Sequence, residues 1–287
     1  MTEQRHRRWR LGMSTLVAAL AVGTLTAPAW SATAAVPTGY SFDGWPTVGT
    51  VLTNGTAPSK HDCTGSVIDS PHGNVILTAA HCVEPKKGVF ARSVQFYPGY
   101  HDGPNRTWGS YTSESMVYQG NTIAKVVVPV EYDPTAKSPD KYSSSPYDYA
   151  FVILKPSGGK NVAQRTGSLH LVTNARIGNT PTTIAGYPAR AARPMRCSNV
   201  TNYGNPHSYI RMDCYGYPNG GHQGIGLPGG TSGSPWLLGD ANHVSHNVIG
   251  TMGGYDRGGD HAHHGENYSV YFNSRTGQYY EQAKRMG

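Results

Sequence analysis

The residues best suited to chemistry sit in three short runs. Gly229-Gly230-Thr231-Ser232-Gly233-Ser234-Pro235-Trp236 sets a serine in the middle of a glycine-flanked turn. A serine hydroxyl is a weak nucleophile until a base holds its proton, and glycines let the backbone curl tightly enough to aim N–H groups at a developing oxyanion. Leu77-Thr78-Ala79-Ala80-His81-Cys82 offers that base, and Tyr147-Asp148-Tyr149-Ala150-Phe151-Val152-Ile153-Leu154 offers a carboxylate to orient it. The chain order His, Asp, Ser is one of the orders in which this acyl-transfer constellation occurs.

Each residue also has a plain structural reading. A serine between glycines commonly does no more than turn the chain, but here the apolar run Ser234–Leu238 follows and pins the turn at a strand entrance. His81 follows Val75-Ile76-Leu77 and two alanines, a setting too tight and apolar for an ordinary surface histidine. Asp148 opens a nearly unbroken apolar run, where an unpaired carboxylate costs several kcal/mol. Asp62, Asp133, Asp140, Asp256 and Asp260 compete for its role, but all lie in polar or Pro/Gly-rich surroundings that read as solvated loops.

The elements that must position these groups are mostly strands. With 36 Gly and 20 Pro among 287 residues, few stretches can be helical. Predicted strands are 47–52, 64–68, 75–78, 93–97, 122–128, 149–154, 182–185, 210–215, 234–238, 247–252 and 268–272. Short strands at this spacing point to a barrel or a sandwich. One helix is expected, Thr276 to Arg285, with Tyr279, Tyr280 and Ala283 inward, packed as a lid on the second half of the chain. Lys155-Pro156-Ser157-Gly158-Gly159-Lys160 reads as a linker between halves.

Residues 1–34 have the parts of a secretory signal: Arg5, Arg7, Arg8 and Arg10, an apolar stretch from Leu11 to Leu25, and the cleavage sequences Ala29-Trp30-Ser31 and Ala32-Thr33-Ala34. The apolar stretch is too short and too rich in Ala, Gly and Thr to anchor a membrane. A secreted, extracellular protein is expected, with no stable membrane association once the signal is removed. Arg7-Arg8 hints at twin-arginine export, although Arg10 stands where that signal prefers an apolar residue.

The formal charge of +7 falls to about +4 without the signal, because four Arg and Glu3 leave with it. No basic block or aromatic-basic repeat is present, so nucleic acid is excluded as a partner. The four cysteines fit two disulfides in an oxidising compartment, and sequence alone allows three pairings. Cys63–Cys82 and Cys197–Cys214 are favoured, since each would clip neighbouring strands and close a loop of about 20 residues, worth roughly 3 kcal/mol. No Cys-x-x-Cys spacing supports a zinc site instead. His261, His263 and His264, with Asp260 and Glu266, match no zinc pattern and read as a solvated Gly-rich loop, so no metal is expected.

With these residues in view, the chain resembles the secreted bacterial trypsin/chymotrypsin-like serine peptidases, in the style of the glutamyl endopeptidase branch. The resemblance rests on Cys63-Thr64-Gly65-Ser66-Val67-Ile68, Leu77-Thr78-Ala79-Ala80-His81-Cys82, Asp148-Tyr149-Ala150, Gly186-Tyr187-Pro188 and Gly230-Thr231-Ser232-Gly233-Ser234-Pro235. It implies an all-β chymotrypsin-like fold: two six-stranded antiparallel β-barrels with a short C-terminal helix. Residues 35–157 would form the first barrel, carrying His81 and Asp148, and 158–287 the second, carrying Ser232 and the helix. It further implies a monomer that cleaves polypeptides without a cofactor, with the N–H groups of Gly230 and Ser232 as oxyanion hole. The specificity pocket would be walled by Gly226, Leu227 and Pro228, and by the strand Gly250-Thr251-Met252-Gly253-Gly254. None of these is charged, which favours uncharged or apolar substrate side chains unless Asp256 or Asp260 reaches in.

Many relatives carry Asp immediately before the nucleophile, where it pairs with a newly freed N-terminal amine. This chain has Thr231, whose neutral hydroxyl cannot make that ion pair. An α/β-hydrolase esterase is a poor match, since it needs Gly-x-Ser-x-Gly and the order Ser, acid, His. The rival of a different class is a catalytically silent peptidase-like module that binds protein or cell-wall polymer through its tyrosines.

Overall fold

Apolar runs bounded by glycine, proline and polar turns become strands here, and among the described residues the strands sort into two large sheets and one separate hairpin. The computed structural model describes residues 35–101, 107–136, 145–204, 208–216, 226–259 and 265–287. The expected signal segment, Asp140, and the loop residues Asp260, His261, His263 and His264 lie outside the described residues.

After a two-residue β1 (Tyr40–Ser41), the first sheet is built from β2 (Val48–Thr53), β3 (Cys63–Ile68), β4 (Val75–Thr78), β5 (Val94–Pro98) and β6 (Tyr111–Thr112). β7 (Ser115–Tyr118) and β8 (Asn121–Ala124) form a hairpin of their own, and β9 (Val126–Val127) and β10 (Ala150–Ile153) complete the sheet. Its order is β6-β5-β2-β3-β4-β10-β9. The second sheet takes β11 (His170–Leu171), β12 (Thr180–Gly186), β13 (Met195–Tyr203), β14 (Tyr209–Asp213), β15 (Pro235–Leu238), β16 (Asn247–Thr251) and β17 (Glu266–Val270). Its order is β11-β16-β15-β12-β13-β14-β17, with β1 added beside β13. The two-residue pieces β1, β6, β9 and β11 carry the sheets to eight and seven strands, past the expected six. One pairing, β11 with β16, is parallel.

Three apolar clusters hold the fold. One lies within the first sheet around Phe96, Val152 and Leu154, and another within the second around Ile184, Trp236 and Ile249. The third joins Val75, Leu77 and Phe151 of the first sheet to Leu237, Val248 and Phe272, so the halves share buried apolar surface.

The C-terminal helix spans Ser274–Met286, and an Asn273–Thr276 capping box closes its N-terminus. Thr276, Tyr279, Tyr280 and Ala283 are buried, the spacing of one helical face. That face does not lie on the second sheet alone, contrary to expectation: it reaches back to the first. The Tyr280 ring packs on Phe151 at 5.7 Å and its hydroxyl donates to the Asp69 carbonyl, while the Tyr279 hydroxyl donates to Glu131 at 2.5 Å. The aromatic pair at i and i+1 needs two partners, and β10 supplies aromatic faces through Phe151 and the preceding Tyr149.

Both disulfides form with the favoured pairing, Cys63–Cys82 and Cys197–Cys214. Cys82 lies on the short helix Ala80–Val83 rather than on a strand, so this bridge ties β3 to a helical turn. The expected linker contains a Gly158-Gly159 reversal, with Ser157 and Lys160 bridged across it.

Candidate active site

Strand register brings the histidine and the aspartate together. β4 and β10 pair antiparallel with Thr78 opposite Ala150, so the end of one strand lies beside the start of the other. His81, three residues beyond Thr78, and Asp148, two residues before Ala150, therefore meet at the same edge. Asp148 Oδ2 accepts from His81 Nδ1 at 2.8 Å and from the Gly254 N–H at 3.0 Å, and its Oδ1 accepts from the His81 backbone N–H at 2.9 Å. Burial works to raise this carboxyl, but His81 and the two backbone donors outweigh it and hold it below the ordinary carboxylate value. A carboxylate can only accept, so Nδ1 carries the proton and neutral His81 keeps its lone pair on Nε2.

The serine turn comes from the second sheet and is pinned to the first. Thr64 of β3 donates its N–H to the Ser232 carbonyl at 2.8 Å and its Oγ1 to the Gly230 carbonyl at 2.9 Å, while accepting from the Tyr187 N–H at 2.8 Å. Ser234 Oγ closes the turn on the Thr231 carbonyl at 2.6 Å. Gly230 has φ +93°, and a Cβ there would stand 2.1 Å from the Ala189 nitrogen, so only glycine fits. Ala189 N–H donates to the Gly229 carbonyl at 2.7 Å. In the trans peptide this turns the Gly230 N–H the opposite way. Neither the Gly230 nor the Ser232 N–H makes a hydrogen bond among the described residues.

His81 and Ser232 line one cavity of about 340 Å³, together with Thr53, Asp62 and the Cys63–Cys82 bridge. No hydrogen bond joins Ser232 Oγ to His81 among the described residues; such contacts are commonly long before substrate binds and tighten in the complex. Of the expected pocket walls, Leu227 and Met252 line this cavity, joined by Pro228 and Thr231. Gly226 backs onto Asn267 and Gly253 onto Asp148, so neither forms the lining.

Nor is the cavity uncharged, as the strand sequence suggested: Asp256 and Arg257 also line it. Asp256 is buried rather than solvated, because Tyr255–Gly258 curls into a turn with Asp256 at φ +46° and Arg257 at φ +56°. Asp62 and Asp133 are exposed, as expected of solvated loop residues. Glu266 is engaged with Arg211 at 2.8 Å. The sulfurs nearest His81 are joined in the disulfide and offer no thiolate to a metal.

Sequence reasoning passed over Thr64 as a site residue, although a hydroxyl in the fully buried run Cys63–Ile68 has to find partners. Thr64→Val keeps the shape but leaves the Gly230 carbonyl and Tyr187 N–H unpaired. It should lower stability in urea unfolding by about 1–3 kcal/mol and reduce kcat, with Thr64→Ser restoring both.

The profile of the Trypsin family matches residues 37–276. Among solved structures, the protease Anisep from Arthrobacter nicotinovorans is similar at 19% identity and TM-score 0.64, over 86% of this chain and 99% of that one. The thermostable serine protease AL20 from an extremophilic microorganism is similar at 22% identity and TM-score 0.64, over 84% and 98%. A Glu endopeptidase is similar at 18% identity and TM-score 0.61, over 87% and 97%. No curated protein matches the sequence. The structural likenesses speak for the fold and the profile for descent; the chain belongs to the trypsin family of serine endopeptidases.

Proposed function

We propose that the chain is a secreted endopeptidase that cleaves polypeptides through an acyl-enzyme, with Ser232 as nucleophile, His81 as general base and Asp148 as its orienting acid. The observation that carries this reading is the hydrogen bond from His81 Nδ1 to Asp148 Oδ2. It leaves Nε2 as proton acceptor in a side chain lining the same cavity as Ser232. His81 takes the Ser232 proton during attack on the substrate carbonyl and returns it to the leaving amine; water then releases the acyl group. The Gly230 and Ser232 N–H groups receive the oxyanion, a reading supported by the outward turn of the Gly229 carbonyl toward Ala189. Two disulfides support export to an oxidising compartment, and residues 1–34 would direct it. A fluorophosphonate should label Ser232 in the folded wild-type chain. A folded chain that never reacts would point instead to a silent binding module.

Thr231 supports a further point. It is buried, and its hydroxyl donates to the Pro228 carbonyl at 2.6 Å, so the position before Ser232 is satisfied within its own loop. A chain carrying several extra residues before Ala35 should therefore hydrolyse peptide at an undiminished rate. A folded but inert extended chain, active only after trimming, would refute this.

A further inference from the structure

A second cavity, of about 720 Å³, shares no lining residue with the one that holds His81 and Ser232. It lies between the residues leading into β6, Trp108 and Gly109, and the short helix Ala163–Thr166, which contributes Gln164 and Arg165. Trp108 is 52% exposed, although indole is among the side chains that gain most from burial. The residue is nevertheless held. Its backbone N–H donates to the Pro98 carbonyl at 2.9 Å, and its ring edge rests on Gly99, where a Cβ would stand 2.6 Å from Trp108 Cδ1. A fixed, half-open indole is a platform.

Beside it stand buried groups that lack an acceptor. Arg165 Nη2 donates to the Ser157 carbonyl at 2.8 Å, but the Arg165 Nε is buried with no hydrogen-bond partner. The Tyr111 hydroxyl, 3.5 Å from where a Cβ on Gly109 would stand, is buried and unpartnered as well. Burial raises the Tyr111 phenol against the pull of Arg165, so it keeps its proton at neutral pH. Buried polar groups without partners are rare, and here two belong to one neighbourhood. Lys160, also in the lining, is exposed and makes no ion pair among the described residues. Asp43, the one acid in the described lining, faces Arg193 at 3.2 Å and His101 at 3.4 Å. Arg165 and Lys160 therefore leave the cavity with positive charge to neutralise.

We propose that this cavity binds an acidic sugar, its ring lying on Trp108 and its carboxylate held by Arg165 and Lys160. A pyranose has a C–H face that packs on an indole, and a carboxyl on a ring carbon is carried rigidly at the edge of that face. One stiff unit thus meets platform and cations together, with little rotamer freedom to lose. Gln164 is exposed and its Oε1 accepts from the Asn161 N–H at 2.7 Å, which leaves its NH₂ for a sugar hydroxyl. An acidic peptide carries its carboxylates on flexible stems and brings no ring to Trp108. The site needs none of the catalytic residues, so it stands whether or not the chain hydrolyses peptides.

The test uses the Ser232→Ala chain with three probes: trigalacturonate, the neutral trisaccharide cellotriose and triglutamate. Trigalacturonate should shift the Trp108 indole N–H signal, identified by its loss in Trp108→Phe, and binding should weaken with added salt. Trp108→Ala and Arg165→Gln should each weaken it by about tenfold or more. Lys160→Gln changes only an exposed side chain and should weaken it several-fold in a chain whose fold is untouched. No shift at millimolar trigalacturonate overturns the proposal, as does full affinity in both Lys160→Gln and Trp108→Ala. Equally tight cellotriose would show that charge is not read, and equally tight triglutamate would show a site for acidic peptide; either result overturns it.

Discussion

Changing Ser232 to alanine is expected to lower kcat by about 10⁶-fold and leave a folded protein. The Ser232 carbonyl, which anchors the turn to Thr64, is backbone and survives the change. The Oγ atom itself makes no hydrogen bond among the described residues, so its loss leaves no buried partner unpaired. Thermal unfolding should therefore show a stability change within about 0.5 kcal/mol. Undiminished hydrolysis of a peptide substrate by the alanine chain would end the assignment of Ser232, His81 and Asp148.

Asp148→Asn is the second large effect, and its cause is hydrogen-bond arithmetic. Three N–H groups converge on the two carboxylate oxygens: His81 Nδ1–H, the His81 backbone and the Gly254 backbone. An amide brings one oxygen and an NH₂ group. With the oxygen kept at the Oδ1 position toward the His81 backbone N–H, the NH₂ takes the Oδ2 position, meets the Gly254 N–H without an acceptor, faces Nδ1 and forces the His81 proton onto Nε2, where it blocks the base. A loss of about 10⁴-fold in kcat is expected. The stability effect has a sign in pH. Because the folded carboxyl lies below its ordinary value, its contribution is complete above about pH 4 and disappears as pH falls through the folded value. The gap in unfolding free energy between wild type and Asp148→Asn should therefore be widest near neutral pH and shrink in acid. A gap that grows in acid would show that the carboxylate is not favoured in the folded chain.

How much the sequence disclosed follows from how local each signal is. His81, Asp148 and Ser232 stand at the ends of strong apolar or glycine-rich runs, and a single strand register brings the first two together. Most strands were readable for the same reason. The longest, Met195–Tyr203, was missed because Met-Arg-Cys-Ser-Asn-Val-Thr-Asn-Tyr hides its alternation under polar side chains, many of them half-buried. The helical face at Tyr279, Tyr280 and Ala283 was visible in its spacing, but spacing carries no information about which sheet receives it. Asp256 was misread because Asp-Arg-Gly-Gly has the composition of a solvated loop; two successive left-handed residues turn it inward instead. Thr64 reaches its partners Gly230 and Tyr187 across more than a hundred residues of sequence, which no local pattern announces.

The two ends of the chain are exchanged between the sheets. β1, which precedes every strand of the first sheet, pairs with β13 of the second, while the thirteen-residue helix Ser274–Met286, which follows the second sheet, locks onto the first through Tyr279 and Tyr280. Neither half can finish its own packing from its own contiguous stretch of polypeptide. Without this helix Phe151 and Tyr149 lose their aromatic cover beside Asp148, so the packing of the first sheet next to the candidate site depends on residues 274–286. A strand laid down early and a helix laid down late thus knit the two sheets into one cooperative unit.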